Sequence, residues 1–366
     1  MGKKLRIGIV GCGGIANGKH LPSLAEFPEL CEIVAFCDII RERAEDAAKK
    51  YGTPDALVCE DYHELIADPT IDVVHVCTPN REHSFITIDA LEAGKHVMCE
   101  KPMAKTYAEA KAMYEASVRT GKKLAIGYQN RQNPENLYVK QLAEKGELGD
   151  IYYAKALAIR RRAVPTWGVF LNEEEQGGGP LIDIGTHALD LTLWIMNNYK
   201  PKMVVGNTFR RLADTPAGER GNGWGPWDPA KYTVEDAAFG YLVMENGAVI
   251  TLDATWALNW ADPREATYIL CGTEKGVDTS DGLRLNYVHN DAQVIEKVNL
   301  HRSGAAFFEG KSDMSASDLD ILKWLKAIID DTPQEVLPEQ AMVVTRILEG
   351  IYTSAKTGKP VYFDED

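Results

Sequence analysis

The sequence lacks a surplus of positive charge. Of its 366 residues, 40 are Lys or Arg and 54 are Asp or Glu, which gives a formal net charge of −14. Because nucleic acids and anionic membranes attract basic surfaces, this balance argues against both as partners. The sequence also lacks an apolar run approaching about 18 residues, the length needed to span a membrane, and it starts without the pattern of a secretory signal.

Closely spaced cysteines are missing too. The seven cysteines include no C-x-x-C pair, and most of them lie in apolar, strand-like segments. An odd, dispersed set is typical of reduced, structural thiols, so we expect a cytoplasmic protein and no bound metal. A hydrophobic content of 45% with 26% charged residues is ordinary for a globular chain, and the length predicts about two domains.

The first 125 residues alternate between apolar runs and helical stretches. The runs predict strands at 5–10, 33–36, 73–76, 96–98 and 124–127. The stretches between them predict helices at 40–50, 62–67, 83–93 and 107–120. Alternating β and α segments joined by short loops indicate an α/β domain over residues 1–125, with the doubly wound parallel sheet of the Rossmann fold.

Residues 126–366 have a different texture, with many extended segments and few helices. Strands are predicted at 151–162, 203–211, 237–245, 248–259, 266–272, 284–288 and 293–300. Helices are predicted at 134–144, 181–196, 317–330 and 338–356. An Asn246-Gly247 pair between two apolar runs is a strong hairpin signal. We therefore expect an α+β domain on an open, mostly antiparallel sheet, with C-terminal helices that could pack back on the first domain.

A glycine-rich loop follows the first strand directly. Gly11, Gly13, Gly14, Ile15 and Ala16 lie in a G-x-G-x-x-A pattern, which lets the backbone approach a pyrophosphate at a helix start. The alternative interpretation is a glycine-rich turn in an α/β domain that binds no nucleotide.

The cofactor type is indicated by the end of the second strand. Asp38 lies 22 residues after Ala16, where a carboxylate binds the ribose diol of NAD and repels the 2′-phosphate of NADP. Arg41 and Arg43 follow and could reach such a phosphate instead, or they belong to a solvated helix face. The sequence favours NAD.

Polar residues also follow later strands, where α/β sheets bind ligands. Glu100-Lys101-Pro102 ends the strand at 96–98, and the proline favours an extended Lys101 whose ammonium points at a reacting centre. Further cofactor contacts are predicted at strand ends and just beyond them, at Thr78, Asn80, His83, Glu100, Lys101, Gln129 and Arg43.

Asp183, His187 and Asp190 share one face of a predicted helix, at positions i, i+4 and i+7. Three interpretations compete: a helix cap with a core histidine, a metal site, and a proton-transfer group. The third is favoured, because histidine titrates near neutrality and a neighbouring carboxylate would orient it.

All seven tryptophans lie beyond residue 150. Aromatic side chains bind the apolar faces of sugars and flat aglycones, so this part of the chain is suited to bind a carbohydrate substrate. Most of the tryptophans are expected in the core, while Trp224 and Trp227 lie in a long Gly/Pro-rich loop, 214–232. The arginines at 160–162 are expected on a strand. Arg160 and Arg161 are expected to be solvated or to lie at an interface, whereas Arg162 is a candidate substrate contact. Predicted substrate contacts are Tyr128, Arg131, Arg162, Trp167, Asp183 and His187.

Taken together, the glycine loop, Glu100-Lys101-Pro102, the Gly127-Tyr128…Arg131 segment and the Asp183-x-x-x-His187 pair resemble the Gfo/Idh/MocA oxidoreductase family. The resemblance implies a Rossmann domain followed by an α/β domain that binds substrate and forms homo-oligomers through its sheet. It also implies hydride transfer between a sugar-like carbinol and NAD. Lys101 would polarise the substrate oxygen, His187 would be the base, and Asp183 would place the substrate or support the proton transfer. Gly168 departs from the family pattern and leaves the role of Trp167 open.

We therefore expect an NAD-dependent dehydrogenase acting on a secondary hydroxyl of a sugar, cyclitol or glycoside, with oxidation of a glucoside at C3 as the specific candidate. Two other functions are open. One is a glycosidase-like enzyme that oxidises C3 only transiently, and the other is a non-catalytic regulatory protein that binds NAD.

Overall fold

The computed structural model describes residues 4–215, 218–300 and 314–363, which form two compact units. The first unit contains residues 4–132 and 314–345, and the second contains 133–300 and 346–363 without 216–217. The first unit is therefore built from two stretches of chain that are far apart in the sequence. A functional boundary at residue 125 stays a prediction.

The first unit contains six parallel strands in the order β3-β2-β1-β4-β5-β6. They are β1 (Leu5–Val10), β2 (Cys31–Cys37), β3 (Leu57–Cys59), β4 (Val73–Val76), β5 (His96–Cys99) and β6 (Leu124–Ile126). This is the strand order of a dinucleotide-binding Rossmann sheet, so the predicted fold class is confirmed. The short strand β3 was missed by the sequence prediction. The order reverses between β1 and β4, where such sheets bind ligands.

Of the described helices that connect these strands, the first was not predicted, and the others begin and end close to their predicted limits. They are α1 (Leu21–Ala25), α2 (Arg41–Tyr51), α3 (Tyr62–Ala67), α4 (His83–Glu92) and α5 (Tyr107–Thr120). Helix α5 starts with a capping box. The Thr106 hydroxyl accepts a hydrogen bond from the Glu109 N–H, and the Glu109 carboxylate accepts one from the Thr106 N–H. Such reciprocal bonds satisfy two of the helix's unpaired donors.

The remaining helices follow further along the chain. They are α6 (Pro134–Glu144), α7 (Glu173–Gln176), α8 (Thr186–Met196), α9 (Ala316–Ile329) and α10 (Pro338–Thr357). Helix α9 belongs to the first unit, although almost 200 residues separate it from β6. Its buried side chains Ile321, Trp324 and Leu325 join Ile7 and Phe36 in one apolar core.

The second unit is built on nine strands in the order β14-β13-β12-β11-β7-β10-β9-β8-β15. They are β7 (Ile151–Ile159), β8 (Pro201–Phe209), β9 (Ala237–Met244), β10 (Val249–Thr255), β11 (Arg264–Gly272), β12 (Gly276–Asp278), β13 (Arg284–His289), β14 (Ala292–Lys297) and β15 (Val361–Tyr362). Among the strands that the structure describes in this unit, β7 and β10 alone pair in parallel, so the predicted mostly antiparallel sheet is confirmed. The short strands β12 and β15 were not predicted.

The hairpin predicted from Asn246-Gly247 joins β9 and β10, with Gly247 at φ +85° and an N–H···O bond of 2.8 Å from Met244 to Ala248. The helix predicted at 181–196 consists of two parts, a π-helical turn over Leu181–Gly185 and then α8.

The seven cysteines are free thiols, and all except Cys271 are buried. Within residues 4–215, 218–300 and 314–363, no helix combines the length and apolar character of a membrane span.

Candidate active site

The glycine loop after β1 has the backbone shape and the empty space that a nucleotide needs. Gly11 has φ +89°, and an added Cβ would lie 2.7 Å from the backbone of Cys77. An added Cβ on Gly13 or Gly14 would meet no atom of the described chain within 4 Å. Ile15 is exposed, while Ala16 is buried and opens a π-helical turn that ends at His20. The loop therefore fits the phosphates of NAD.

Asp38 ties the end of β2 to this loop. Its carboxylate accepts the Cys12 N–H and the Ile40 N–H, each over 2.8 Å. Each carboxylate oxygen can accept a second hydrogen bond, so the group can also accept a ribose hydroxyl. Arg41 pairs with Glu45 across 2.9 Å, and Arg43 is exposed on the same helix.

The loop after β4 carries Thr78 and Asn80. The Thr78 hydroxyl oxygen is buried and has no hydrogen-bond partner among the described residues. A buried hydroxyl in that state fits a polar group of a bound cofactor. Asn80 is buried and opens a 3₁₀ turn that ends at Glu82.

His83 connects this loop with the Lys101-Pro102 segment. Its Nδ1 lies 2.8 Å from the Pro102 carbonyl oxygen and its Nε2 lies 3.0 Å from the Thr78 carbonyl oxygen. Burial lowers the pKa of His83 below the usual value, although the hydrogen bonds to these two carbonyls act to raise it. Both ring nitrogens are occupied by the protein, which favours a bracing role over the predicted cofactor contact.

Glu100, at the end of β5, is the centre of a buried polar cluster. Its Oε1 accepts from Lys19 Nζ and lies next to His20 Nε2, each at 2.8 Å. The His20 Nδ1 in turn lies 2.9 Å from His75 Nδ1. The other oxygen of Glu100 accepts the backbone N–H of Lys101 over 3.1 Å. The backbone of the half-buried Lys101 is therefore attached to this cluster.

Charge and burial set the protonation states of this cluster. Burial alone would raise the pKa of Glu100, but Lys19 and His20 hold it well below its usual range. Burial acts to lower the pKa of Lys19, and Glu100 and Asp320 outweigh it and raise that pKa. Burial lowers the pKa of His20 and lowers that of His75 further. Burial raises the pKa of Asp320 to about 6. The cluster thus holds an anionic Glu100, a cationic Lys19 and neutral histidines.

Sequence reasoning missed Lys19, His20, His75 and Asp320. One signal was present: His75 interrupts the apolar strand β4, where a polar residue needs a partner. The other three lie in helices whose polar residues look ordinary without knowledge of what they face.

The residues predicted just after β6 differ in their surroundings. Gln129 is half-buried, and its Oε1 accepts from Lys19 Nζ over 3.2 Å. Tyr128 and Arg131 have no exposed surface. Arg131 Nη1 donates to the Gln340 side chain over 2.8 Å and to the Glu335 carbonyl over 3.2 Å. These contacts are typical of an internal brace, and a substrate contact by either residue stays a prediction.

In the second unit, Asp183 lies in the π-helical turn and His187 in the first turn of α8, and both are half-buried. The indole Nε1 of the fully buried Trp256 donates to Asp183 Oδ2 over 3.0 Å. Asp190 is buried one turn beyond His187. One face of the helix therefore presents an oriented carboxylate followed by an imidazole.

The chain before this turn is held by Glu235. Its carboxylate accepts the N–H groups of Gly179 and Leu181 over 2.9 and 3.1 Å, and the Tyr352 hydroxyl over 2.9 Å. A side chain on Gly178 would collide with Tyr352. Burial raises the pKa of Glu235, in opposition to these donors. Glu235 was not predicted, because it lies more than 50 residues from the turn that it supports.

Arg160 and Arg162 lie beyond the end of β7, so the predicted strand of 151–162 is too long. The neighbouring strand β10 ends at Thr255, the partner of Ile159, and the ladder stops there. Arg162 forms an isolated bridge with Ala257 and donates to the Asn259 side chain over 2.6 Å. The prediction that the arginines at 160–162 lie on this strand is therefore wrong.

The tryptophans divide into core and surface residues. Trp194, Trp256 and Trp324 are buried, as expected, and so is Trp227, which packs against Tyr232. Trp167 and Trp224 are exposed and touch each other. The loop 214–232 includes residues 216–217, which lie outside the described part. Among the residues that the structure describes, no group of three or more His, Cys, Asp or Glu side chains is placed to hold a metal ion.

Comparisons with known proteins agree with this arrangement. Residues 5–128 match the model of the Gfo/Idh/MocA family described as the oxidoreductase family, NAD-binding Rossmann fold. Residues 140–363 match the model of its C-terminal alpha/beta domain. Both matches together span nearly the whole chain.

Two curated relatives are similar over most of the chain. The D-glucoside 3-dehydrogenase of Escherichia coli (strain K12) is 33% identical over 361 residues, which are 98% of this chain and 97% of that protein. The levoglucosan dehydrogenase of Pseudarthrobacter phenanthrenivorans is 30% identical over 277 residues, 69% of this chain and 68% of that protein. A solved structure of levoglucosan dehydrogenase in complex with NADH shares the fold, with a TM-score of 0.83 at 24% identity and full coverage of both chains.

The glycine loop, the acidic end of β2 and the unpartnered Thr78 hydroxyl fit NAD, and the family model that covers them is an NAD-binding one. The cofactor is therefore NAD, as predicted. From the two matches and the full-length relative it follows that this chain belongs to the Gfo/Idh/MocA family of NAD-dependent oxidoreductases.

Proposed function

We propose that this enzyme oxidises a secondary hydroxyl of a sugar, cyclitol or glycoside, and that its substrate is a glucoside oxidised at C3. One observation carries the substrate class: the chain is similar, over 98% of its length, to a D-glucoside 3-dehydrogenase. The NAD-binding Rossmann unit supports the reaction class. When bound, NAD supplies the hydride acceptor.

Lys101 is the proposed electrophile. It follows the carboxyl end of β5, and its backbone N–H is held by the anionic Glu100. A cation placed against the substrate oxygen stabilises the negative charge that develops there as the C–H bond breaks. The buried Lys19 pairs with Glu100 over 2.8 Å and balances the charge of that carboxylate.

His187 is the proposed base, and Asp183 is proposed to hold the substrate or support the proton transfer. A base must take the hydroxyl proton as the carbonyl forms, and histidine suits that task near neutral pH. The Trp256 indole fixes Asp183. A His187→Ala enzyme should be slower and should lose the acidic limb of the rate–pH profile. Retention of the parent profile would remove His187 from this role.

The test follows the position of the transferred hydrogen. Methyl β-D-glucoside carrying deuterium at C3 is incubated with enzyme and NAD, and the NADH is analysed by mass spectrometry. We expect deuterium in the NADH and a 3-oxo-glucoside as product. Substrates labelled at C2 or C4 are the controls, and deuterium transfer from either of them would contradict the C3 assignment.

The same assay separates the remaining functions. Glycoside cleavage without net NADH would indicate the glycosidase-like reaction with transient C3 oxidation. Binding of NAD without turnover of any sugar, cyclitol or glycoside would indicate a regulatory protein. Parallel reactions with NADP measure the cofactor preference that Asp38 predicts.

A further inference from the structure

Two exposed tryptophans of the second unit form one apolar surface. Trp167 is 49% exposed and Trp224 is 44% exposed, and their rings meet edge to face with centroids 4.8 Å apart. We call this pair the tryptophan platform. Exposed indoles in contact are costly to leave in water, so such a patch indicates a binding surface.

The platform is held rigidly, although Trp224 lies in a long loop. The Asn222 side chain accepts the Val164 N–H over 2.8 Å and donates to the Val164 and Gly225 carbonyls over 3.1 and 2.7 Å. The Thr166 hydroxyl donates to the Trp224 carbonyl. These bonds tie the two tryptophan-bearing segments to each other. A surface ordered in advance loses little entropy when a ligand binds.

A guanidinium group supports the platform without adding an unbalanced charge. The Arg160 Cζ lies 5.2 Å from the centre of the Trp224 ring. Its Nε and Nη2 donate to the two carboxylate oxygens of Glu265 over 2.6 and 2.5 Å. The arginine is thus neutralised and fixed in place. The surroundings suit an uncharged ligand with an apolar ring face.

An aromatic row links the platform to Asp183. Trp167 contacts Phe170 with ring centroids 5.7 Å apart, and Phe170 contacts Trp256 at 6.5 Å. The indole of Trp256 donates to Asp183 over 3.0 Å. The platform and Asp183 are therefore joined by one continuous row of packed side chains within the second unit.

We propose that the tryptophan platform binds the aglycone of a glycoside substrate, with preference for one that carries a ring, such as a second pyranose or a phenyl group. This inference rests on the proposed function, since Asp183 is taken to contact the sugar that is oxidised. The platform selects which glycosides react efficiently, while the oxidised ring lies beside Asp183.

The first test compares two substrates, phenyl β-D-glucoside and methyl β-D-glucoside, which differ only in the aglycone. In Trp224→Ala and Trp167→Ala, the ratio of their kcat/KM values should shift toward the methyl glucoside by about tenfold, the size of one lost stacking contact. The matched control is Trp260→Ala, because Trp260 is 51% exposed in the same unit and forms no ring–ring contact with either platform tryptophan among the described residues. An unchanged ratio in the platform variants, or an equal shift in the control, would overturn the proposal.

The second test reads binding without turnover. Phenyl β-D-glucoside, added to the enzyme with NADH, should quench tryptophan fluorescence in the parent and in Trp260→Ala but much less in Trp224→Ala. Selective quenching without oxidation of any glucoside would uphold the platform and reject the proposed function. Oxidation of glucosides with unaltered quenching in Trp224→Ala would reject the platform alone. A change of oligomeric mass in Trp224→Ala, with the substrate ratio unchanged, would instead assign the surface to a second copy of the chain.

Discussion

The Lys101 side chain carries the positive charge on which the proposed oxidation depends. Replacement by methionine keeps the length of the side chain and removes the charge, so turnover should fall by at least about a hundredfold, as for loss of an oxyanion stabiliser. The NAD dissociation constant, measured by calorimetry, should change by only a few-fold. Lys111→Met, at an exposed position of α5, is the control. Parent-like oxidation by Lys101→Met would contradict the role given to Lys101.

His75 should make stability depend on pH. Burial holds its pKa well below the ordinary 6.5, so the unfolded chain binds a proton that the folded chain does not, and stability is lost as the pH falls below about 6.5. In His75→Asn this loss should be smaller, by up to about 1.4 kcal/mol per pH unit. Guanidinium unfolding at pH 7.5, 6.5 and 5.5 measures the difference.

The same comparison keeps the other titratable groups of the cluster in both proteins, including His20, which lies 2.9 Å from His75 and whose pKa burial also lowers. Asp320, whose pKa burial raises to about 6, acts in the opposite sense, but it is present in both proteins. His289→Asn, at an exposed position of β13, should retain the parent slope. Equal slopes in parent and His75→Asn would show that His75 takes up a proton in the folded protein.

Among the elements, the turn that leads into α8 depends most on a distant side chain. The Glu235 carboxylate now accepts hydrogen bonds from two backbone N–H groups and from the Tyr352 hydroxyl. In Glu235→Gln, one carboxylate oxygen becomes an amide NH₂, which is a donor and therefore faces another donor. We expect the free energy of unfolding to fall by about 1–3 kcal/mol, the cost of an unsatisfied buried group. Chemical denaturation measures it. Glu245→Gln, in the exposed β9–β10 turn, should have no effect, and an equal loss in both variants would be evidence against the bracing role.

The regular elements could be predicted because their signals are local. The apolar run of β1, the Asn246-Gly247 hairpin and the capped α5 each contain their own cues, and their ends agree with the sequence expectation. The three-residue strand β3 has too few residues to show a period. The end of β7 depends on where β10 stops pairing, which no local pattern contains.

The polar cluster around Glu100 shows the corresponding limit for the site. Its members come from the turn after the glycine loop, from β4, from β5 and, through Asp320, from α9. The motif residues Glu100 and Lys101 were found because they adjoin a strand end. Lys19, His20 and Asp320 were not, because their burial results from packing between segments up to about 300 residues apart.

At the scale of the whole molecule, the first unit should depend on a helix from near the C-terminus. Trp324 of α9 is buried in the same core as Ile7 and Phe36, so Trp324→Ala should cost about 3–5 kcal/mol. Amide hydrogen exchange in β1 and β2 should become faster, although these strands lie about 300 residues away in the sequence. The exposed Trp260→Ala is the control. Unchanged exchange in β1 and β2 would show that their stability does not depend on α9.

The first unit is built from two distant stretches of chain, which has a consequence during synthesis on the ribosome. The six strands of the nucleotide-binding sheet have all been made by residue 126, but α9 begins only after roughly 190 further residues. At about 5–20 residues per second, the apolar side chains that α9 covers stay uncovered for roughly 10–40 s. The newly made Rossmann sheet therefore keeps apolar surface uncovered until α9 has been synthesised, and exposed apolar surface of this kind favours aggregation.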